Sequence, residues 1–166
     1  MFFFGTYPLT IDGKCRLSVP FAVRSQMNPE SEGRGLYAVP GRRPHTLAIY
    51  PDRYFHELRR RWPDEESLSD EAYEWRQFEC SQTVLLDPDA QGRVLIPQWL
   101  LESAGLSKDV TLIGVQDHLE LWNRADFEAF EKTKWPEYPR HRAKALSELR
   151  HMAGKADATS APQEAK

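Results

Sequence analysis

Cysteine is scarce in this chain: Cys15 and Cys80 are the only two, and they form no Cys-x-x-Cys pair. A disulfide framework and a structural zinc site are therefore not expected, and a cytoplasmic address is. No apolar run reaches the ~18 residues that a membrane-spanning helix requires, so no membrane partner is expected. The opening Met1-Phe2-Phe3-Phe4-Gly5 lacks a basic flank and a long apolar stretch, and it does not read as a secretory signal. Catalytic signatures are missing too. There is no Gly-x-x-x-x-Gly-Lys-[Ser/Thr], no His-Glu-x-x-His and no Gly-x-Ser-x-Gly. The histidines are scattered, and Asp87 and Asp89 flank Pro88 in a loop, a structural rather than an acid–base arrangement. The expectation is a protein that is not an enzyme, with no cofactor, metal or small-molecule substrate.

What is present is an ordinary globular mixture, 40% apolar and 28% charged over 166 residues, sized for one domain or two small intimate halves. The net charge of −3 disguises an uneven distribution: residues 1–62 balance at +5, residues 63–131 at −12 and residues 132–166 at +4. Local sign decides where a polyanion docks, so the basic N-terminal part is the better candidate for facing nucleic acid.

The strongest feature is an internal repeat. Asp12, Arg16 and Pro20 recur 77 positions later as Asp89, Arg93 and Pro97, with apolar residues in register between them. Leu47-Ala-Ile-Tyr50 recurs 72 positions later as Leu119-Glu-Leu-Trp122. Two copies of one unit imply a pseudo-two-fold architecture in which neither copy buries its apolar face alone. Each copy reads as hairpin, short helix, hairpin and longer helix. Asp12-Gly13 between apolar alternations signals a tight hairpin, while Asp87-Pro88 excludes a central strand at that point. A cysteine tolerates left-handed backbone poorly, which points to a turn at Gly13 rather than at Cys15.

Pro20, Pro51 and Pro97 stand where helices begin. Gly105 ends the short second-copy helix, and Trp62-Pro63 ends the longer first-copy helix that Pro51 opens. Asn123, followed by Asp126, reads as the N-cap of a helix holding Phe127 and Phe130. Ser69 to Cys80 looks helical, with Ala72, Tyr73, Trp75 and Phe78 as its apolar set. Phe2, Phe3, Phe4, Trp99 and Trp122 read as core aromatics rather than base-stacking platforms.

At the paired Asp-x-x-x-Arg motifs the chain resembles the MraZ family. The opening Met-Phe-Phe-Phe-Gly-Thr-Tyr is similar to that family's start. Asp89-Ala-Gln-Gly-Arg93 with Val-Leu-Ile-Pro97 resembles its second signature, as do Ala104–Val110, Gly114-Val115 and Leu119–Trp122. The first motif departs from the pattern, with Cys15 where the family usually has glycine. The resemblance covers about residues 1–135. It implies an α+β fold of two fused ββαββ-type, AbrB-like swapped-hairpin repeats, closed as a pseudo-two-fold β-barrel with flanking helices. It also implies a ring-shaped homo-oligomer larger than a dimer, nucleoid-associated, that binds double-stranded promoter repeats upstream of division and cell-wall genes.

The expected boundaries are a first repeat at 1–62 with a turn-rich insertion at 28–44, a connecting helical segment at 63–82 and a second repeat at 83–135. A C-terminal helix at 136–152 and a disordered tail at 153–166 follow. Arg16 and Arg93 are the leading DNA contacts. A guanidinium offers forked donors that match phosphate or the edge of guanine, and at a hairpin tip it projects beyond the strands. Lys14 suits a phosphate, Gln91 either hydrogen-bonds a base or does nothing, and Gly13 shares the first tip. Asp12 and Asp89 shape the turns and hold the arginines, or shape the turns only. Arg42 and Arg43 either clamp phosphate or lie in a solvated loop, and Arg59-Arg60-Arg61 read as the wet end of a helix.

Overall fold

The computed structural model describes residues 2–27, 33 and 35–159, with side chains described as far as residue 150. In chain order the elements are β1 (Thr6–Thr10), β2 (Arg16–Ser18), α1 (Phe21–Arg24), β3 (Leu36–Pro40), β4 (Thr46–Pro51) and α2 (Asp52–Arg60). After a 3-10 turn at Glu65–Ser67 come α3 (Asp70–Gln82), β5 (Val84–Leu86), β6 (Arg93–Leu95) and α4 (Gln98–Ser103). The chain continues through β7 (Asp109–Val115), β8 (His118–Asn123) and α5 (Arg124–Thr159). Pro20, Pro51 and Pro97 stand at the N-caps of α1, α2 and α4. Gly105 (φ +63°) closes α4, with Leu106 N–H donating back to the Leu101 carbonyl at 2.9 Å.

Six strands form one antiparallel sheet in the order β1-β7-β8-β4-β3-β5, and among the described residues β2 pairs only with β6. Exchanging each strand for its counterpart four strands on reads the same order backwards. The registers obey the same exchange. Leu17 faces Val94, its own equivalent, and Ala48 faces Glu120, its own equivalent. A residue can lie opposite its own copy only on a local two-fold axis, so the repeat in the sequence is a pseudo-dyad in the fold. The first strand of each copy pairs with the third strand of the other: β1 with β7, and β5 with β3.

The sheet is open, with β1 and β5 at its edges, where a closed barrel was expected. β2 and β6 turn away at Asp12 and Asp89, and Pro20 and Pro97 stop each strand shortly after its third residue, so they pair with each other and close nothing. Pro8 lies in β1, an edge position where a missing N–H donor is tolerated. One apolar core draws on both copies. It holds Leu17, Val19, Leu47 and Ile49 from the first with Val94, Ile96, Leu112 and Leu121 from the second.

Several local expectations need correcting. The span 28–44 was expected to be a turn-rich insertion, yet it contains β3, an interior strand; residues 28–32 and 34 lie outside the described residues. Leu36, Ala38 and Val39 are buried there, enough apolar surface to override the surrounding turn residues. The apolar set of α3 does not form a buried face: Trp75 and Phe78 are exposed, and Arg76 over Trp62 with Glu79 on Arg59 make the contacts instead. Phe3 and Trp122 are core residues, but Phe2, Phe4 and Trp99 are exposed. The bridge from Phe3 to Gln116 turns its neighbours outward, and Leu100 and Leu101 occupy the core side of α4. Asn123 does not cap α5. Its side-chain oxygen accepts from Ser107 N–H at 2.7 Å and its amide donates to the Gly105 carbonyl at 2.9 Å, lashing down the α4–β7 connection.

The chain divides into one unit ending at Phe127 and a second beginning at Glu128. α5 is one helix through the boundary expected at 135/136, and it continues past Ala153, where a tail was expected, to Thr159. Ala, Lys, Leu, Arg and Glu favour helix in this stretch. Pro136 and Pro139 each remove one helical hydrogen bond without ending it. Residues 160–166, also assigned to the tail, lie outside the described residues.

Candidate nucleic-acid interface

Each Asp-x-x-x-Arg motif is a closed hydrogen-bonded unit. Asp12 Oδ1 accepts from the Lys14 and Arg16 backbone N–H groups at 2.8 and 3.0 Å. Asp12 Oδ2 takes Arg16 Nε at 2.8 Å and Nη2 at 2.7 Å. In the second copy, Asp89 Oδ1 accepts from Gln91 and Arg93 N–H at 2.9 and 3.0 Å, and its Oδ2 holds Arg93 Nε at 2.8 Å and Nη2 at 2.7 Å. This is why the spacing is four. A carboxylate one turn back reaches the N–H groups two and four residues on, and the guanidinium of the latter folds over it. The side-chain hydrogen bond from Arg16 lowers the Asp12 carboxyl to about 2, and Arg93 does the same for Asp89.

The backbone turns at the fourth motif position, not at Gly13. Cys15 has φ +58° and its equivalent Gly92 has φ +75°, while Gly13 is not left-handed. The Asp12 carbonyl takes the Cys15 N–H at 2.9 Å, and the Asp89 carbonyl takes the Gly92 N–H at 2.8 Å. That network outweighs the dislike of cysteine for the conformation. Cys15 N–H and carbonyl thus serve as those of Gly92 do: Cys15 O accepts from Ile96, and Gly92 O accepts from Val19.

Arg16 and Arg93 were expected at the tips. They are instead the first residues of β2 and β6, folded against the turn and half-buried, with side chains 31% and 28% exposed. The exposed tips belong to Gly13 and Lys14 in one hairpin and Ala90 and Gln91 in the other. The register sets Arg16 across from Leu95, and Ser18 across from Arg93. Side chains alternate along a strand, so these four share the outer face of the ribbon, while Leu17 and Val94 enter the core. The two arginines are diagonal neighbours, with Cα atoms roughly 7–8 Å apart. Ser18 and Leu95 are site residues that sequence reasoning missed. The alternation Arg16-Leu17-Ser18 and Arg93-Val94-Leu95 was visible, but not the pairing of the two strands.

Arg42 and Arg43 lie in the β3–β4 loop, and Arg43 sits over the Trp122 ring at 5.6 Å. Of the three successive arginines, Arg60 and Arg61 are exposed, whereas Arg59 pairs with Glu79 and stacks over Phe55 and Trp62.

A second polar group gathers at the β7–β8 turn. Tyr54 OH donates to Asp117 Oδ2 at 2.5 Å, His118 Nδ1 meets Asp117 Oδ1 at 2.7 Å, and Trp122 Nε1 donates to Glu120 Oε2 at 2.8 Å. The hydrogen bond to Asp117 pushes the Tyr54 hydroxyl up to about 12. Burial opposes charge on the His118 ring, but its bonds to Glu120 and Asp117 outweigh that and raise its pKa. These groups satisfy one another and fasten α2 to the hairpin. Among the described residues no cluster of His, Cys, Asp and Glu is arranged to hold a metal ion.

Comparison with known proteins bears on what such a ribbon is for. The family described as "MraZ protein, putative antitoxin-like" matches residues 80–147. A protein of Delftia acidovorans named Transcriptional regulator MraZ is 35% identical over 130 residues, covering 78% of this chain and 87% of the relative. Proteins of the same name from Verminephrobacter eiseniae and Burkholderia cenocepacia are 35% and 32% identical over 130 residues.

Proposed function

The chain belongs to the MraZ family, and from that premise we propose that it is a sequence-specific DNA-binding transcriptional regulator rather than an enzyme. The observation that carries this reading is the β2–β6 ribbon, which presents two carboxylate-held arginines on its outer face. The major groove of B-DNA admits a two-stranded ribbon, and an arginine is the side chain most suited to guanine. Asp12 and Asp89 act as orienters. Each fixes one edge of its guanidinium and leaves the other edge for a base or phosphate, removing rotamer freedom before binding. Lys14 meets a phosphate, Gln91 a base or phosphate, and the open space beside Gly13 lets the DNA backbone come close.

The interleaved strands support placement among AbrB-like swapped-hairpin proteins. One ribbon makes few contacts, so useful affinity needs several copies. A homo-oligomer larger than a dimer, closed as a ring, supplies avidity on the order of 10²–10⁴. Its DNA is a set of promoter repeats, about 10 base pairs or a multiple apart, upstream of the division and cell-wall gene cluster that includes its own gene. The regulator then works in the cytoplasm, on the nucleoid. The test is a native mass measurement of the full-length protein with and without the DNA upstream of its own gene, repeated at several salt concentrations. A complex of several protomers that weakens steeply with salt is expected. A ring that ignores this DNA would favour a ring-forming structural protein that has lost DNA binding, and a stable co-purifying protein would favour an antitoxin-like AbrB regulator with a protein partner.

A further inference from the structure

The outer face of the ribbon is not furnished by arginine alone. Leu95 lies directly across from Arg16, and Ser18 directly across from Arg93. The pseudo-dyad through the Leu17–Val94 pair exchanges the two arginines, and it also exchanges Leu95 with Ser18. The arginines are thus symmetric while their cross-strand neighbours differ in chemistry.

Leu95 is 58% exposed between the buried Val94 and Ile96. Its place in the fold does not call for an apolar residue, because the equivalent place in the other copy is held by an exposed serine. The repeat therefore supplies its own control: the ribbon folds with a small polar group at this position. Directly opposed residues of an antiparallel pair have Cβ atoms about 4.5–5.5 Å apart, so Leu95 and Arg16 address the same base step or adjacent ones. The apolar group that a base offers in the major groove is the 5-methyl of thymine. A serine hydroxyl donates or accepts and selects weakly.

We propose that Leu95 and Ser18 are specificity-determining residues: Leu95 reads the methyl of a thymine beside the base pair contacted by Arg16, and Ser18 leaves the dyad-related position beside Arg93 unselective. The inference rests on the DNA-binding reading above. Each ribbon site is then an imperfect inverted repeat. Its two arginine contacts lie about two steps of 3.4 Å apart, and its thymine requirement falls at one end only.

The test uses full-length protein and duplexes that it enriches from a randomised pool. Binding is followed by fluorescence anisotropy as each thymine is replaced in turn by deoxyuridine, which lacks only the 5-methyl group. One thymine per ribbon site is expected to matter, with a loss of about fourfold for one buried methyl. Leu95→Ala should lose a similar factor on the thymine duplex and become indifferent to deoxyuridine at that position. Ser18→Leu should acquire a thymine preference at the dyad-related position. Wild-type indifference to deoxyuridine everywhere, or unchanged discrimination in Leu95→Ala, overturns the proposal. If enrichment succeeds and Arg16→Ala abolishes binding while deoxyuridine has no effect, this inference alone fails. If no duplex is enriched, the DNA-binding reading fails with it.

Discussion

Gly92→Cys would make the second motif match the first at its turn, and the structure says that the second hairpin should not accept the cysteine that the first holds. Gly92 has φ +75°, and a Cβ placed on it would lie 2.5 Å from Arg24 Nε and 2.6 Å from Arg24 Cζ. Left-handed backbone costs an L-residue about 1–2 kcal/mol. Arg24 must also move, breaking its Nε hydrogen bond to the Val19 carbonyl, worth about 0.5–1.5 kcal/mol. Against this, losing a glycine from the unfolded chain returns about 0.4–1 kcal/mol. The net loss is about 2 kcal/mol. With a urea slope of about 2 kcal/mol/M, the unfolding midpoint should fall by about 1 M. The reverse change, Cys15→Gly, relieves the same backbone strain but forfeits some packing of Cys15 against the core and adds unfolded-state entropy. It should fall within about 1 kcal/mol of wild type. A double-mutant cycle with Arg24→Ala isolates the steric part, with an expected coupling of about 1 kcal/mol. A Gly92→Cys midpoint equal to that of the wild type would refute the described turn and its packing under Arg24.

Lys14→Ala should weaken binding to all DNA sequences alike and lower the salt slope by about one unit per subunit engaged, measured by anisotropy across salt concentrations. Asp12 and Asp89 have folded pKa values depressed to about 2 from 3.8, so the order they lend the hairpins is present above the unfolded value and lost as pH falls through about 2. Carboxyl carbon shifts followed by NMR should titrate near that lower pH, and Arg16→Ala should bring Asp12 back toward 3.8. Val94→Asp should unfold both copies in one transition, because Val94 packs in a core shared by both and an unpaired buried carboxylate costs several kcal/mol. Calorimetry showing two separate transitions would contradict the shared core.

How much of this was legible beforehand varies by residue. The repeat was plain because Asp, Arg and Pro recur at a constant offset, and with it came the pseudo-dyad, the helix starts at Pro20, Pro51 and Pro97, and the helix end at Gly105. Intrinsic preference alone argues against a turn at Cys15, and the hydrogen bonds that Asp12 organises around it decide otherwise. β3 hid among glycines and prolines because its strand character comes from burial between β4 and β5. The exposed Trp75 and Phe78 show the converse, since an apolar residue type does not say which side of a helix meets the core. The open sheet and the outer face of the ribbon depend on which distant strands pair. Local alternation carries no information about that, so Ser18 and Leu95 could be placed only once β2 was seen against β6.

If the outer face of the ribbon meets DNA, Arg16→Ala is the variant that must lose binding. Arg16 contributes little to the core, so circular dichroism should show the fold intact while a fluorescence titration of the upstream DNA shows binding abolished. Arg93→Ala should lose less, since its hairpin has Gln91 in place of Lys14 and the acidic Asp87 close by. Wild-type affinity in a well-folded Arg16→Ala protein would move DNA contact away from the first hairpin.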